Sequence, residues 1–160
     1  MHLETSFVVP HALQRVWDFM SDPMKQLVWD RSAHEVIVTS QGPIGVGFTY
    51  RTIGPPRKGR PGLVTSYRVK TFEPPVHAEI EVVDSSLFAS AVWGMRFEEL
   101  GPASTRVFWS MDMRPKLRYL LLGPILRASI GNLERDRDWF IEALDAEYGS
   151  QPVQGPRHES

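Results

Sequence analysis

Cysteine is absent from this 160-residue chain, which excludes disulfide bonds, thiolate metal sites and a cysteine nucleophile. Long apolar runs are absent too. The longest, around residues 120–126, is broken by Gly123 and Pro124 and is far shorter than the ~20 residues that cross a bilayer. The opening residues, MHLETSFVV, lack the basic segment and apolar run of a secretory signal. We therefore expect a cytoplasmic protein with no stable membrane insertion.

An excess of charge of one sign is also missing, because 18 basic and 19 acidic residues leave a net charge of −1. Nucleic-acid-binding domains usually carry a basic excess, so no nucleic-acid partner is expected. The one basic run, residues 57–60, lies between proline turn signals and is interpreted as an exposed loop. The histidines show no metal-ligand spacing, and the glycines of residues 42–47 lack the lysine of a phosphate-binding loop. We expect no metal and no cofactor.

The first thirty residues change from a strand pattern to a helical one. Residues 3–9 predict a strand that Pro10 ends. Residues 11–20 place apolar side chains at the i, i+3, i+4 and i+7 positions of one helix face. Asp22 and Pro23 suit an N-cap and a first helical position, so they predict a second short helix.

Residues 33–113 alternate between apolar and polar side chains, which is the two-residue period of β-strands. Turn signals divide this segment into six runs. With the first strand they predict a seven-stranded antiparallel meander. The alternation also predicts one apolar face and one polar face, as in a sheet that is covered on one side only.

A long helix is predicted over residues 116–148. At about 100° per residue its apolar side chains fall on one stripe. Gly123 and Pro124 should kink the helix, and its first turns could then move as an entrance. We expect one domain over residues 1–148 and a disordered tail over residues 149–160, where apolar content is low.

These elements predict an α+β domain in which the long helix covers a curved sheet. A helix is about 10 Å wide, whereas seven strands at ~4.8 Å spacing span some 30 Å, so the sheet must curl around it. Curling leaves an apolar cavity unless large side chains fill it. The predicted lining comes from the inner strand faces and the helix stripe: Phe48, Tyr50, Tyr67, Trp93, Met95, Trp109, Met111, Leu126, Ile130, Leu133 and Arg137.

Two interpretations of this lining stay open. The aromatic and methionine side chains suit an adaptable apolar pocket, but they also suit a filled core. Arg137 interrupts the helix stripe between Leu133 and Phe140. It either anchors a carboxylate or carbonyl of an apolar ligand, or reaches solvent or an acidic neighbour.

The order of elements and several short motifs resemble one superfamily across residues 3–147. The motifs are Val8-Val9-Pro10 with Val16-Trp17-Asp18-Phe19, Ser21-Asp22-Pro23 with Trp29-Asp30, the glycine-rich run 42–47, and Val64-Thr65 with Phe72-Glu73-Pro74-Pro75. Together they resemble the START-related helix-grip (SRPBCC) superfamily and its bacterial polyketide cyclase/dehydrase-like branch. The resemblance implies a helix-grip fold. It also implies functions that range from binding lipids, quinones or hormones to aromatase/cyclase steps on polyketides.

Three functions remain in competition. The leading hypothesis is a carrier or sensor of a small hydrophobic ligand, because the inner face offers almost no catalytic group. The second is a cyclase or dehydratase in which Tyr50, Tyr67 or Arg137 orients carbonyl groups. The third is a lipid-transfer protein that touches membranes through residues 120–122, although burial of these leucines is the alternative. The sequence leaves the oligomeric state open, including a homodimer.

Overall fold

The computed structural model describes residues 1–117, 119 and 133–149. Along the chain the elements are β1 (His2–Val9), α1 (Leu13–Ser21), a 3₁₀ turn (Pro23–Lys25), α2 (Gln26–Trp29), β2 (Glu35–Val38), β3 (Thr49–Ile53), β4 (Val64–Glu73), β5 (His77–Ser85), β6 (Phe88–Gly101), β7 (Ser104–Pro115) and α3 (Leu133–Tyr148). The predicted strands and both short helical segments are therefore confirmed.

The seven strands form one antiparallel sheet in the order β1-β7-β6-β5-β4-β3-β2. The predicted meander holds from β2 to β7, but β1 lies beside β7 and not beside β2. In this pair His2 is opposite Asp112, and Val9 is opposite Thr105. The short helices account for the difference: α1 packs on β6 and β7, whereas α2 packs on β2 and α3, so they carry the chain from one edge of the sheet to the other.

Two long strands carry the irregularities that let the sheet curve. In β4 the register shifts between Ser66 and Tyr67 and again between Val69 and Thr71. In β6 it shifts near each end. Such bulges bend a strand and increase its twist, and the sheet is curved as predicted.

The start of the second helical segment follows the predicted capping chemistry. The Asp22 carboxylate accepts a hydrogen bond of 2.9 Å from the Met24 backbone N–H, and Pro23 occupies the first helical position. These residues begin the 3₁₀ turn, and α2 follows directly and ends at Trp29.

Helix α3 confirms the last part of the predicted long helix. It ends at Tyr148, where Gly149 adopts a φ of 79° and donates a backbone hydrogen bond of 2.8 Å to Asp145. Glycine suits this left-handed position because it has no Cβ. The predicted Gly123–Pro124 break and tail residues 150–160 lie outside the described residues.

Candidate functional site

The seven strand-face residues of the predicted lining share one side of the sheet. Residues opposite each other in an antiparallel pair point to the same face. Tyr50 is opposite Tyr67, Trp93 is opposite Met111, and Met95 is opposite Trp109. Phe48 directly precedes β3 and packs with Tyr50. The alternation in the sequence therefore identified the inner face correctly.

The packing divides this inner face into three clusters. The aromatic cluster contains Met95 and Trp109, together with the buried face of α1 and Phe140 of α3. The tyrosine cluster contains Val36, Phe48, Tyr50 and Val69, with Tyr67 packed against it. The methionine cluster contains Ala91, Met111, Met113 and Leu133, with Val82 and Trp93 packed against it.

The aromatic cluster is a filled core. The Trp109 ring contacts Phe7, Trp29 and Phe140 at centroid distances of 5.2, 5.7 and 5.3 Å. Trp109 is buried, and its Nε1 has no hydrogen-bond partner among the described residues. These contacts place Met95 and Trp109 at the packed end of the inner face, under the C-terminal half of α3.

The middle of the inner face is packed less completely. Tyr67, Ile80, Val82 and Trp93 point to the covered side of the sheet, yet each keeps part of its surface exposed. They connect the tyrosine cluster to the methionine cluster across β4, β5 and β6. This central region is the candidate site, because it offers accessible apolar surface on the side that a core would bury.

Two stacked tyrosines form one wall of the candidate site. The rings of Tyr50 and Tyr67 lie 5.1 Å apart with an interplanar angle of 22°. Burial raises the pKa of Tyr67 to about 12, although the Thr52 and Thr65 hydroxyls partly offset the effect. Burial, aided by Tyr67 and the charge of Asp30, raises the pKa of Tyr50 further. Both phenols therefore stay neutral near pH 7 and act as hydrogen-bond donors, not as bases.

A carboxyl group on α3 that the sequence prediction did not single out is partly buried. Asp136 lies on α3, and burial raises its pKa, against the opposing effect of Arg135. The charge of Asp30, at the end of α2, raises the pKa of Asp136 as it does those of Tyr50 and Tyr67. Asp30 thus influences the pKa of all three groups, and α2, which ends just before Asp30, packs against α3.

Helix geometry measured from the buried Phe140 would have placed Asp136 nearer than Arg137 to the buried face of the helix. At about 100° per residue Asp136 lies about 40° from Phe140, whereas Arg137 lies about 60° away on the other side. An origin at Leu126 favours Arg137 instead. The two origins lie about 40° apart around the helix, so the choice of origin decides which of the two residues is placed nearer the centre of the stripe.

Arg137 has an acidic neighbour as its partner. Its Nε donates a hydrogen bond of 2.9 Å to the Asp138 carboxylate, and a second guanidinium nitrogen lies 2.8 Å from the same oxygen. The Arg137 side chain is 30% exposed. Its role as a ligand anchor stays a prediction.

The comparison with protein families decides the classification. The family model described as polyketide cyclase / dehydrase and lipid transport matches residues 1–147. The chain belongs to this family. The membership and the fold confirm the resemblance to the START-related helix-grip superfamily. No curated protein matches the chain.

Solved structures share the fold at low sequence identity. A START superfamily protein from Mycobacterium smegmatis is 16% identical with a TM-score of 0.74, covering 91% of this chain and 98% of that one. The Zhui aromatase/cyclase from Streptomyces sp. R1128 is 16% identical with a TM-score of 0.73, covering 98% and 99%. Ginseng major latex-like protein 151 from Panax ginseng is 10% identical with a TM-score of 0.69, covering 92% and 96%.

His11 is a second residue that the sequence prediction missed. It is buried, and its Nε2 lies 2.6 Å from the Asp145 carboxylate on α3. The Thr105 hydroxyl donates a hydrogen bond of 2.8 Å to the His11 carbonyl. These bonds join the β1–α1 junction to α3 and β7. The only local signal was the position of His11 directly after Pro10.

The remaining predictions concern metal binding, membrane insertion, the basic run 57–60 and the apolar stripe of the predicted long helix. Residues 1–117, 119 and 133–149 contain no group of three or more potential metal ligands. No helix in the described part of the chain is long and apolar enough to cross a membrane. The basic run 57–60 is exposed, as predicted. Leu126, Ile130 and residues 120–122 lie outside the described residues.

Proposed function

We propose that the protein binds a small hydrophobic molecule on the concave face of its sheet, between the tyrosine and methionine clusters. One observation carries the proposal: apolar side chains on the covered face of β4, β5 and β6 remain partly exposed. Covering apolar surface stabilises a complex by roughly 25 cal/mol per Å². The proposed lining is Phe48, Tyr50, Tyr67, Val82, Trp93, Met111 and Leu133, with Leu126 and Ile130 from the predicted helix stripe.

The family and its structural relatives support a hydrophobic ligand. The family description includes lipid transport as well as polyketide cyclase and dehydrase activity. One relative is a START superfamily protein, and another is an aromatase/cyclase. The carrier role is favoured here because the described strand residues of the proposed lining are apolar apart from two neutral phenols.

A pair of valines on β5 provides the test. Val82 lies on the inner face opposite Tyr67, whereas Val83 points outward and is exposed. Val82→Trp should fill the site and weaken binding of Nile red, an uncharged apolar dye, by about tenfold or more. Val83→Trp is the matched control and should bind as the wild type does. Unchanged dye binding by folded Val82→Trp would contradict the proposal.

The stacked tyrosines favour an enzyme as the second candidate. Two neutral phenols whose ring centroids lie 5.1 Å apart could orient the carbonyl groups of a flexible poly-β-ketone for cyclisation or dehydration. A carrier returns such a substrate unchanged, whereas an enzyme converts it. Turnover of a model poly-β-ketone that is lost in Tyr67→Phe would establish the enzyme, and recovery of intact substrate would favour the carrier.

Leu117 favours a third candidate, a lipid-transfer protein that touches membranes. Its side chain is 83% exposed and lies just before residues 120–122. Co-sedimentation with phosphatidylcholine and phosphatidylglycerol vesicles should then fall in Leu117→Glu and Leu121→Glu. The exposed Val83→Glu serves as the control, because Val83 lies on the outer face of the sheet.

A further inference from the structure

The connection between β3 and β4 presents three cations at one tight turn. Arg57, Lys58 and Arg60 are exposed, and none of them forms an ion pair with a described residue. The backbone N–H groups of Arg57 and Arg60 each donate to the carbonyl of the other, at 3.1 and 3.0 Å. Lys58 and Gly59 between them have φ values of 48° and 73°. Positive φ at both central residues is typical of the tightest hairpin turns, so the three cations are held close together.

The neck of this hairpin is fixed by a close approach of its two sides. The Gly54 backbone N–H donates a hydrogen bond of 2.9 Å to the Leu63 carbonyl. A Cβ at position 62 would overlap the Gly54 carbonyl oxygen, so only glycine fits at Gly62 unless the backbone moves. Three prolines, at positions 55, 56 and 61, further limit the backbone. The turn is therefore a braced extension of the sheet.

Exposed apolar side chains lie at the same end of the sheet as these cations. Leu63 and Val64, just after the turn, are 53% and 42% exposed. The antiparallel order brings the β3–β4 hairpin, the β5–β6 turn and the end of β7 to this end. There the Lys116 backbone N–H donates to the Leu87 carbonyl at 3.0 Å, and Leu117 is 83% exposed.

The charges of the chain are segregated towards this end. Residues 36–72 contain six lysines and arginines and residues 113–133 contain four, whereas neither segment contains an aspartate or a glutamate. These two segments supply the hairpin and the end of β7. Because the whole chain has a net charge of −1, the acidic residues are concentrated elsewhere. The protein is thus polarised, and this end attracts anions.

We propose that this end of the sheet, formed by residues 54–64 with Lys116 and Leu117, docks on a phospholipid surface that carries anionic headgroups. The cations of the hairpin are attracted to the negative surface potential, and the exposed leucines and Val64 enter the interface between headgroups and acyl chains. A nucleic acid or an acidic protein would attract the same cations, but the apolar side chains beside them favour a lipid surface. The proposal does not require the ligand site.

Vesicle co-sedimentation tests the docking in the wild-type protein. Vesicles of phosphatidylcholine with about 30 mol% phosphatidylglycerol should bind about tenfold or more tightly than vesicles of phosphatidylcholine alone. The preference should weaken when NaCl is raised from about 0.05 to about 0.5 M, because salt screens exposed charges. Equal binding to the two kinds of vesicle, or no binding to either, would overturn the proposal. This comparison needs no variant.

A triple variant assigns the docking to the hairpin. Arg57→Gln, Lys58→Gln and Arg60→Gln combined should weaken binding to the anionic vesicles about tenfold or more. A second triple variant is the matched control, since it removes the same number of charges from exposed positions elsewhere. It combines Arg15→Gln, Arg96→Gln and Arg106→Gln. The control should keep most of the wild-type binding, and equal losses in the two triple variants would contradict a role for the hairpin.

The apolar contribution separates a membrane from other anionic partners. Leu63→Ser should weaken binding to the anionic vesicles about fivefold, because less apolar surface enters the interface. Heparin, a polyanion without an apolar phase, is the comparison probe, and its binding should not change in Leu63→Ser. Strong binding to heparin without binding to vesicles would show that the partner is a soluble polyanion and would overturn the membrane proposal.

Nile red binding without vesicles separates this inference from the proposed function. The hairpin triple variant should bind the dye as the wild type does, because its three positions lie outside the proposed lining. Vesicle binding by a protein that does not bind Nile red would refute the ligand site and support the docking. Dye binding by a protein that shows no preference for anionic vesicles would refute the docking alone.

Discussion

His11 Nε2 lies 2.6 Å from the Asp145 carboxylate, although the two residues are separated by 134 positions in the chain. Because a carboxylate only accepts, the His11 ring donates through Nε2, and the buried Nδ1 is left without a partner among the described residues. This bond fastens the end of α3 to the start of α1. It therefore holds the helix over the aromatic cluster.

Removing this bond should destabilise the fold. His11→Ala leaves the Asp145 carboxylate without its partner and creates space in the core, so the free energy of unfolding should fall by about 2–4 kcal/mol. Urea denaturation monitored by tryptophan fluorescence measures the change. The control is His77→Ala, whose partly exposed ring is 3.4 Å from Glu73 and should contribute less than about 0.5 kcal/mol. Equal losses of stability in His11→Ala and His77→Ala would contradict a stabilising role for the His11–Asp145 hydrogen bond.

Neighbouring aromatic residues on α3 should respond very differently to truncation. Phe140 is fully buried and contacts the rings of Phe7, Phe19, Trp29 and Trp109. Phe140→Ala should therefore lower the free energy of unfolding by about 3–5 kcal/mol.

Trp139→Ala is the matched comparison for Phe140→Ala. The Trp139 ring lies between the Arg31 and Arg135 guanidinium groups, at 4.9 and 4.6 Å from its centroid, and is not fully buried. The loss should be about 1 kcal/mol. Thermal or urea unfolding that ranks the two variants in the opposite order would refute the assigned orientation of α3.

The pH dependence of stability should reveal the raised pKa of the Asp136 carboxyl. Its pKa in the folded protein is raised above 3.8, so the fold favours the protonated form. The stabilisation is fully present below pH 3.8 and is lost as the pH rises through the folded-state pKa. Asp136→Asn should therefore be more stable than the wild type at about pH 7, and this difference should vanish towards low pH.

A pH series of urea unfolding curves for the two proteins measures this effect. The difference between them isolates Asp136, because Glu79, whose pKa Lys70 lowers, contributes with the opposite sign in both proteins. Glu134→Gln should give no such pH-dependent difference. A constant gap between wild type and Asp136→Asn at every pH would count against burial of the carboxyl.

The Asp22 cap gives a prediction that the sequence alone already supports. Asp22→Ala removes the acceptor of the Met24 N–H and should cost about 1 kcal/mol. Asp22→Asn keeps a capping oxygen and should retain most of the stability. If both variants lose the same amount, the charge of Asp22 matters and the hydrogen bond does not.

The sequence predicted most of the elements because their signals are local. Alternation over a few residues separates the inner and outer faces of each strand, as Val82 and Val83 show. Capping at Asp22 and the glycine at position 149 mark helix ends through hydrogen bonds to immediate neighbours. The inner-face residues of the candidate site could be named for the same reason.

Long-range relationships could not be predicted in this way. Alternation does not show that β1 lies beside β7, because strand order depends on where α1 and α2 carry the chain. It also cannot separate Met95 and Trp109, which pack in a filled core, from Tyr67 and Trp93, which remain partly exposed. That distinction depends on which residues from distant parts of the chain pack against each side chain.

The sequence by itself determined the seven strands, the short helical segments, the apolar face and the family, because these depend on side-chain periods and motifs within a few residues of one another. Only the tertiary structure decided that His11 meets Asp145, and that Phe140 and Leu144 are fully buried on α3 while Arg137 pairs with Asp138. The physical reason is the rotation of α3 on the sheet. It is set by the packing of Phe140 against rings from distant parts of the chain, Phe7, Phe19, Trp29 and Trp109. A turn of a few tens of degrees would exchange the side chains that face the sheet.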